Sequence, residues 1–240
     1  MPDDSKKVAS ATAADDRKFL TLDYLRNGTP RQQAAHQALT ELQITTHLRP
    51  YKPVLAGTIP IDIDIPDSDL DIICQVLPLK NDQDTSEEED GGTTTTTSTS
   101  LALTEFARVV QQQYGTYPHF TIAQRTAVHN QPPYVIASFQ TTCGDTTTTW
   151  TVEIFGQAVP VGRQNAYRHM LIEYRLLQRF GTALQRRMRA LKLTGVKTEP
   201  AFCQVLGLDR GGDDAGTTFD PYQALLELEG KESKVEWNDD

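Results

Sequence analysis

The sequence predicts an α/β fold in which a mixed β-sheet is flanked by helices and followed by a helical C-terminal part. Three observations predict it. β-branched residues alternate over residues 53–57, 59–65, 70–76 and 149–156, the period of strands. Thr29-Pro30 sets a capping hydroxyl and a first-turn proline ahead of an apolar-periodic stretch through Leu42, a helix start. From about residue 163 the period becomes helical, with Tyr167, Met170, Leu171, Tyr174 and Leu177 on one face.

Taken in order, the chain opens with a flexible tail over 1–18 and closes with another over 229–240. A helix at 30–43 precedes strands at 53–57, 59–65 and 70–76. Residues 80–100 hold Glu87-Glu88-Glu89-Asp90, Gly91-Gly92 and a threonine tract, a composition too polar to order itself, and read as a solvated insertion. A helix at 101–113, strands at 117–125 and 134–139, and a strand at 149–156 ending on Gly156 complete an α/β core spanning 19–162. The helical part, 163–228, is expected to pack on it. Gly181, Gly195 and Gly207 mark its helix ends, and Thr198-Glu199-Pro200 opens a further helix.

Composition narrows the function classes. Three widely spaced cysteines (Cys74, Cys143, Cys203) without a Cys-x-x-Cys pair point to a reducing compartment. Apolar runs are far shorter than the roughly 20 residues of a membrane span, and Met1 to Asp16 has no apolar leader core, so a cytoplasmic protein is expected. A net charge of −9 disfavours a long nucleic acid as main partner. Residues 163–197, however, carry nine basic residues against the single acid Glu173, a net +8, leaving −17 elsewhere. Such a basic patch attracts a compact polyanion such as a triphosphate, or a short stretch of RNA.

Asp69 and Asp71 stand one residue apart in a strand-like run, which points both carboxylates to one face, where a hard divalent cation, Mg²⁺ or Mn²⁺, relieves their repulsion. Upstream, Gly57 lets the backbone approach a phosphate closely, and the Thr58 hydroxyl stands ready to donate to its oxygens. Ala56-Gly57-Thr58, nine residues, then Ser68-Asp69-Leu70-Asp71-Ile72 with Pro66-Asp67 before it resembles the nucleotidyltransferase superfamily of polymerase-β-like and minimal enzymes. More narrowly, residues 57–60, 68–74, 152–157, 164–173 and 197–202 look like a largely bacterial family known only as a domain of unknown function. That resemblance covers about 24–228 apart from the insertion.

The resemblance implies a nucleotidyltransferase-like mixed sheet with a third carboxylate on a later strand, best matched by Glu153, whose alternative role is an outward-facing strand residue. It implies metal ligands Asp69, Asp71 and Glu153, and nucleotide contacts at Gly57, Thr58 and Ser68. Arg168 is expected to hold triphosphate oxygens and His169 to touch the acceptor or base, although a structural His169–Glu173 hydrogen bond is the favoured role for that histidine. Minimal enzymes carry an Arg- and Gly-containing turn where this chain has an extended, acidic 59–65; Asp62 and Asp64 are expected to face solvent there, or else to add charge near the metals. Lys197 and Glu199 receive no chemical role beyond closing the helical segment.

The expected activity is metal-dependent transfer of a nucleoside monophosphate from a nucleoside triphosphate to a hydroxyl acceptor on a small molecule, RNA or protein. The rival is a non-catalytic nucleotide-binding module. A glycosyltransferase holding a sugar nucleotide through Asp-x-Asp fits poorly, because only 68 residues precede Asp69.

Overall fold

A computed structural model describes residues 16–78, 93–127, 132–143, 148–210 and 219–237. The described residues form two compact units. One comprises Ala34–Leu55 and Asp69–Gln164; the other comprises the residues up to Gln33, Ala56–Ser68 and those from Asn165 onward.

The first unit is built on a five-stranded sheet, β1 (Val54–Ala56), β2 (Leu70–Gln75), β3 (Thr121–Arg125), β4 (Tyr134–Thr142) and β5 (Thr149–Gln157), in the order β1-β2-β5-β4-β3. β2 runs parallel to β5, while β5, β4 and β3 are antiparallel neighbours, so the expected mixed sheet is present. Alternation sorts its faces. Leu70, Ile72, Val152, Ile154, Ala137 and Phe139 are buried on one side, and their alternates on the other are half-buried except for the buried Ile73.

The helix Thr93–Tyr114 covers the apolar side. Phe106 lies against Gly156, and Tyr114 stacks on Phe139 at 5.2 Å between centroids. This helix starts at Thr93, not at 101, so the threonine tract is helical where a solvated insertion was expected. Leu103, Phe106, Val110 and Tyr114 are buried at helical spacing and anchor the helix; extending it costs far less than nucleating a new one. Residues 79–92, the remainder of that insertion, lie outside the described residues.

The second unit is mainly helical: Asn165–Leu193, Thr198–Leu206 and Pro221–Leu226 pack on one another. Gly181 (φ 65°, ψ −151°) interrupts the first of these, and Gly207 (φ 67°) ends the second in the left-handed region, in keeping with the sequence. At Thr29 the expected helix start takes the form of a capping box. The Thr29 amide donates to Gln32 Oε1 at 3.0 Å, and the Gln32 amide donates to Thr29 Oγ1 at 3.3 Å, opening the helix Pro30–Glu41.

Two expectations need correction in this unit. Residues 59–65 are no strand: Gly57 (φ 77°) turns the chain, and Ile59, Ile61 and Ile63 are buried in a run of turns. The alternation that suggested a strand instead seats three isoleucines in a core. The expected tails are also partly ordered. Asp16 pairs with Arg175, and residues 229–237 contact the Asn165–Leu193 helix through Glu229, Glu232 and Trp237. Residues 1–15 and 238–240 lie outside the described residues.

Candidate functional site

In the sheet unit, Asp71 on β2 is the register partner of Glu153 on β5, and Glu153 is opposite Ser138 on β4. Neighbouring strands lie about 4.8 Å apart, so these three side chains form a transverse row on the face opposite the Thr93–Tyr114 helix. Thr151 and Gln140 form the next row toward the start of β5, and Ile73, Phe155 and Ile136 the row beyond. The face thus changes from apolar to polar along the strands, and Asp71, Glu153, Ser138, Thr151 and Gln140 are all half-buried. Asp69 stands just ahead of β2, also half-buried. Gln164 closes the far end of the sheet by donating from Nε2 to the Cys74 and Val159 carbonyls, both at 2.9 Å.

This oxygen-only donor set suits Mg²⁺ or Mn²⁺. Mg²⁺ is commonly held by one or two protein carboxylates, with water and substrate phosphates filling the other positions, and the Asp71–Glu153 pair supplies that number. Among the described residues, no group of three or more His, Cys, Asp or Glu is arranged to hold a metal ion.

The other unit contains Gly57, Thr58 and Ser68. Thr58 Oγ1 donates to Ser68 Oγ at 3.3 Å, and Ser68 Oγ accepts from the Ile65 amide at 2.9 Å. The Ile63 amide donates to the Thr58 carbonyl at 3.1 Å, so the 57–68 loop is closed on itself. Asp62 and Asp64 have cationic partners and do not stand as solvent-facing strand residues. Asp62, at φ 57°, is clasped by Arg189 Nη2 at 2.5 Å and Gln185 Nε2 at 2.7 Å, and Arg31 Nε approaches Asp64 at 3.7 Å. Burial raises the Asp64 carboxyl above its ordinary value, against the lowering effects of its backbone hydrogen bond, Arg189 and Arg31. Arg31 also donates to the Pro66 carbonyl at 2.7 Å. Sequence reasoning missed Arg31 and Arg189, whose partners lie 33 and 127 residues away in the chain. Arg189→Ala is expected to lower the stability of this unit by about 1–2 kcal/mol, since it removes a charge-assisted contact that is partly screened by solvent. Urea unfolding of the variant measures it.

Arg168 and His169 belong to the helical unit. Arg168 meets Glu229 at 2.6 Å and Asn165 Oδ1 at 3.3 Å. His169 is buried, with Nε2 at 3.0 Å from the Tyr222 carbonyl and Nδ1 at 3.5 Å from Glu199. Glu199 therefore acquires the structural partner that the sequence did not reveal. Glu173, one turn from His169, is buried 3% exposed with Oε1 lacking a hydrogen-bond partner.

No helix among the described residues is long and apolar enough to cross a membrane. No curated protein matches the chain. The family model described as Domain of unknown function (DUF4269) matches residues 37–228, which include every residue of the carboxylate row and of the 57–68 loop. With that match covering well over half of its length, the chain belongs to the DUF4269 family.

Proposed function

We propose that this chain transfers a nucleoside monophosphate from a nucleoside triphosphate to a hydroxyl acceptor and releases pyrophosphate. The observation that carries the reading is the pairing of Asp71 with Glu153 on adjacent parallel strands, at the polar end of a sheet face. The Gly57-Thr58 and Ser68-Asp69-Leu70-Asp71 spacing, with its resemblance to nucleotidyltransferases, supports it from the sequence side. Asp71 and Glu153 are the residues that would hold Mg²⁺ or Mn²⁺, with Asp69 proposed beside them from the sequence resemblance alone; the ion when bound would neutralise phosphate charge and acidify the acceptor hydroxyl. Thr58 and Ser68 are proposed as hydroxyl donors to phosphate oxygens from the sequence resemblance alone. Glu153 or Asp71 takes the acceptor's proton as its oxygen bonds to the α-phosphorus and the bond to the bridging oxygen of pyrophosphate breaks. Arg168 and His169 already have protein partners and serve this reading as members of the helical unit.

Incubation with α-labelled nucleoside triphosphates and Mg²⁺ tests the proposal. An Asp69→Ala/Asp71→Ala double variant is expected to lose label transfer by on the order of a hundredfold or more while keeping the wild-type circular dichroism spectrum. Equal transfer by both proteins would sink the catalytic reading.

One observation favours the second reading, a nucleotide-binding module without turnover. Arg168, Arg175 and Arg189 are engaged by Glu229, Glu232 and Asp62, leaving fewer cations to stabilise departing pyrophosphate. ATP titration with and without Mg²⁺, read beside pyrophosphate release, separates the two: binding without release selects the module.

A further inference from the structure

Arg168, Arg175 and Arg179 stand at i, i+7 and i+11 on the Asn165–Leu193 helix, within 40° of one another around its axis by the ~100° turn per residue. They span roughly 16 Å along it at ~1.5 Å per residue. Every one is met by the C-terminal segment. Glu229 takes Arg168 at 2.6 Å, Glu232 takes Arg175 at 2.8 Å, and the Glu232 carbonyl takes Arg179 at 2.8 Å. Asp16 adds a second carboxylate to Arg175 at 2.6 Å, and Trp237 meets Phe180 edge-on at 5.5 Å. The arginines lie inside residues 37–228, the span of the family match, whereas Asp16, Glu229 and Glu232 all lie outside it.

We propose that residues 229–237 form a displaceable anionic strap over this arginine face, and that the face takes a short run of single-stranded nucleic-acid phosphates when the strap lifts. Length selects the ligand. Three guanidinium groups spread over roughly 16 Å match a run of successive backbone phosphates better than one compact triphosphate. Carboxylates imitate the phosphate oxygens that arginine forks bind. The Arg168–Glu229 pair, with side chains 30% and 42% exposed, is of the kind that contributes little net stability, so a polyanion can compete for it. This proposal does not require the proposed transfer reaction.

The full chain, its Glu229→Gln/Glu232→Gln variant and its Glu229→Gln variant are titrated into a short fluorescein-labelled oligouridylate and, separately, into a labelled ATP analogue. Thermal melting checks that each variant is folded. The expected result is oligonucleotide affinity raised about tenfold in the double variant and less in the single one. The slope of log K against log salt should be near −2, as for about three phosphate contacts on a single strand. Adding Arg168→Gln and Arg175→Gln to the double variant should cancel the gain. Three results overturn the proposal: no gain in either variant, a gain that survives loss of the arginines, or a gain confined to ATP. Since pyrophosphate release is not among the readouts, failure here is distinct from failure of the catalytic reading.

Discussion

Gly156→Val is expected to leave the sheet unit unfolded or nearly so. A Cβ on Gly156 would stand 2.2 Å from Phe106 Cε1, 2.6 Å from Cδ1 and 2.8 Å from Cζ. The ring has nowhere to retreat, because Phe106 is fully buried and Tyr51 meets it edge-on at 4.7 Å. Overpacking of this kind costs about 1–3 kcal/mol in ordinary cores, and valine adds two further methyl groups to a contact already too short for one carbon. Gly156→Ala should therefore lose roughly 1–3 kcal/mol, and Gly156→Val most of what holds a domain of this size together. Pairing Gly156→Ala with Phe106→Leu, which clears the ring, should recover part of the loss. Urea denaturation followed by tryptophan fluorescence reports all three, because Trp150 is buried on the same strand. Wild-type stability in Gly156→Ala would refute the packing account.

Glu173→Gln is expected to reshape the pH dependence of the helical unit. Burial, with Glu199 adding to it and Lys192 opposing it, raises the Glu173 carboxyl well above its ordinary 4.5. For an acid raised in the folded state, the associated stability is complete below the unfolded value near 4.5 and is lost as pH rises toward the folded one. Across that window the wild type should lose up to about 1.4 kcal/mol per pH unit, the limit for one proton. Glutamine keeps the shape but cannot ionise, so thermal melts of Glu173→Gln should flatten from pH 5 upward and surpass wild type at the alkaline end. Lys192→Met, which removes the opposing attraction, should extend the loss to higher pH. An identical pH slope in wild type and Glu173→Gln would contradict this account.

The sequence foretold more of the sheet than of the 57–68 loop. Strand alternation at Leu70–Gln75 and Thr149–Gln157 is local information, and it located both halves of the carboxylate row within a residue or so of their observed ends. The same rule misread 59–65, because a turn that buries Ile59, Ile61 and Ile63 produces the same alternation as a strand. What separates the two is the left-handed Asp62 and its clasp by Gln185 and Arg189, which a local pattern does not contain. Ser138 was missed for a related reason: one serine in a strand carries no signal until the register sets it opposite Glu153. The net +8 of residues 163–197 was legible as charge, yet not as contact. Asp16, Glu229 and Glu232 lie in segments whose composition reads as tail, and only the folded chain brings them to the arginines.

The parallel pairing of β2 with β5 also orders the assembly in time. Ser138 and Glu153 are 15 positions apart across a short connection, whereas Asp71 and Glu153 are 82 positions apart. Loop-closure entropy must be met before a distant pairing gives any return, so the β4–β5 hairpin is the early product and the docking of β2 the late one. The two carboxylates meet only at that late stage. A nascent or partly unfolded chain carries Glu153 on a hairpin and Asp71 elsewhere, so the complete pair becomes a report on native closure of the sheet.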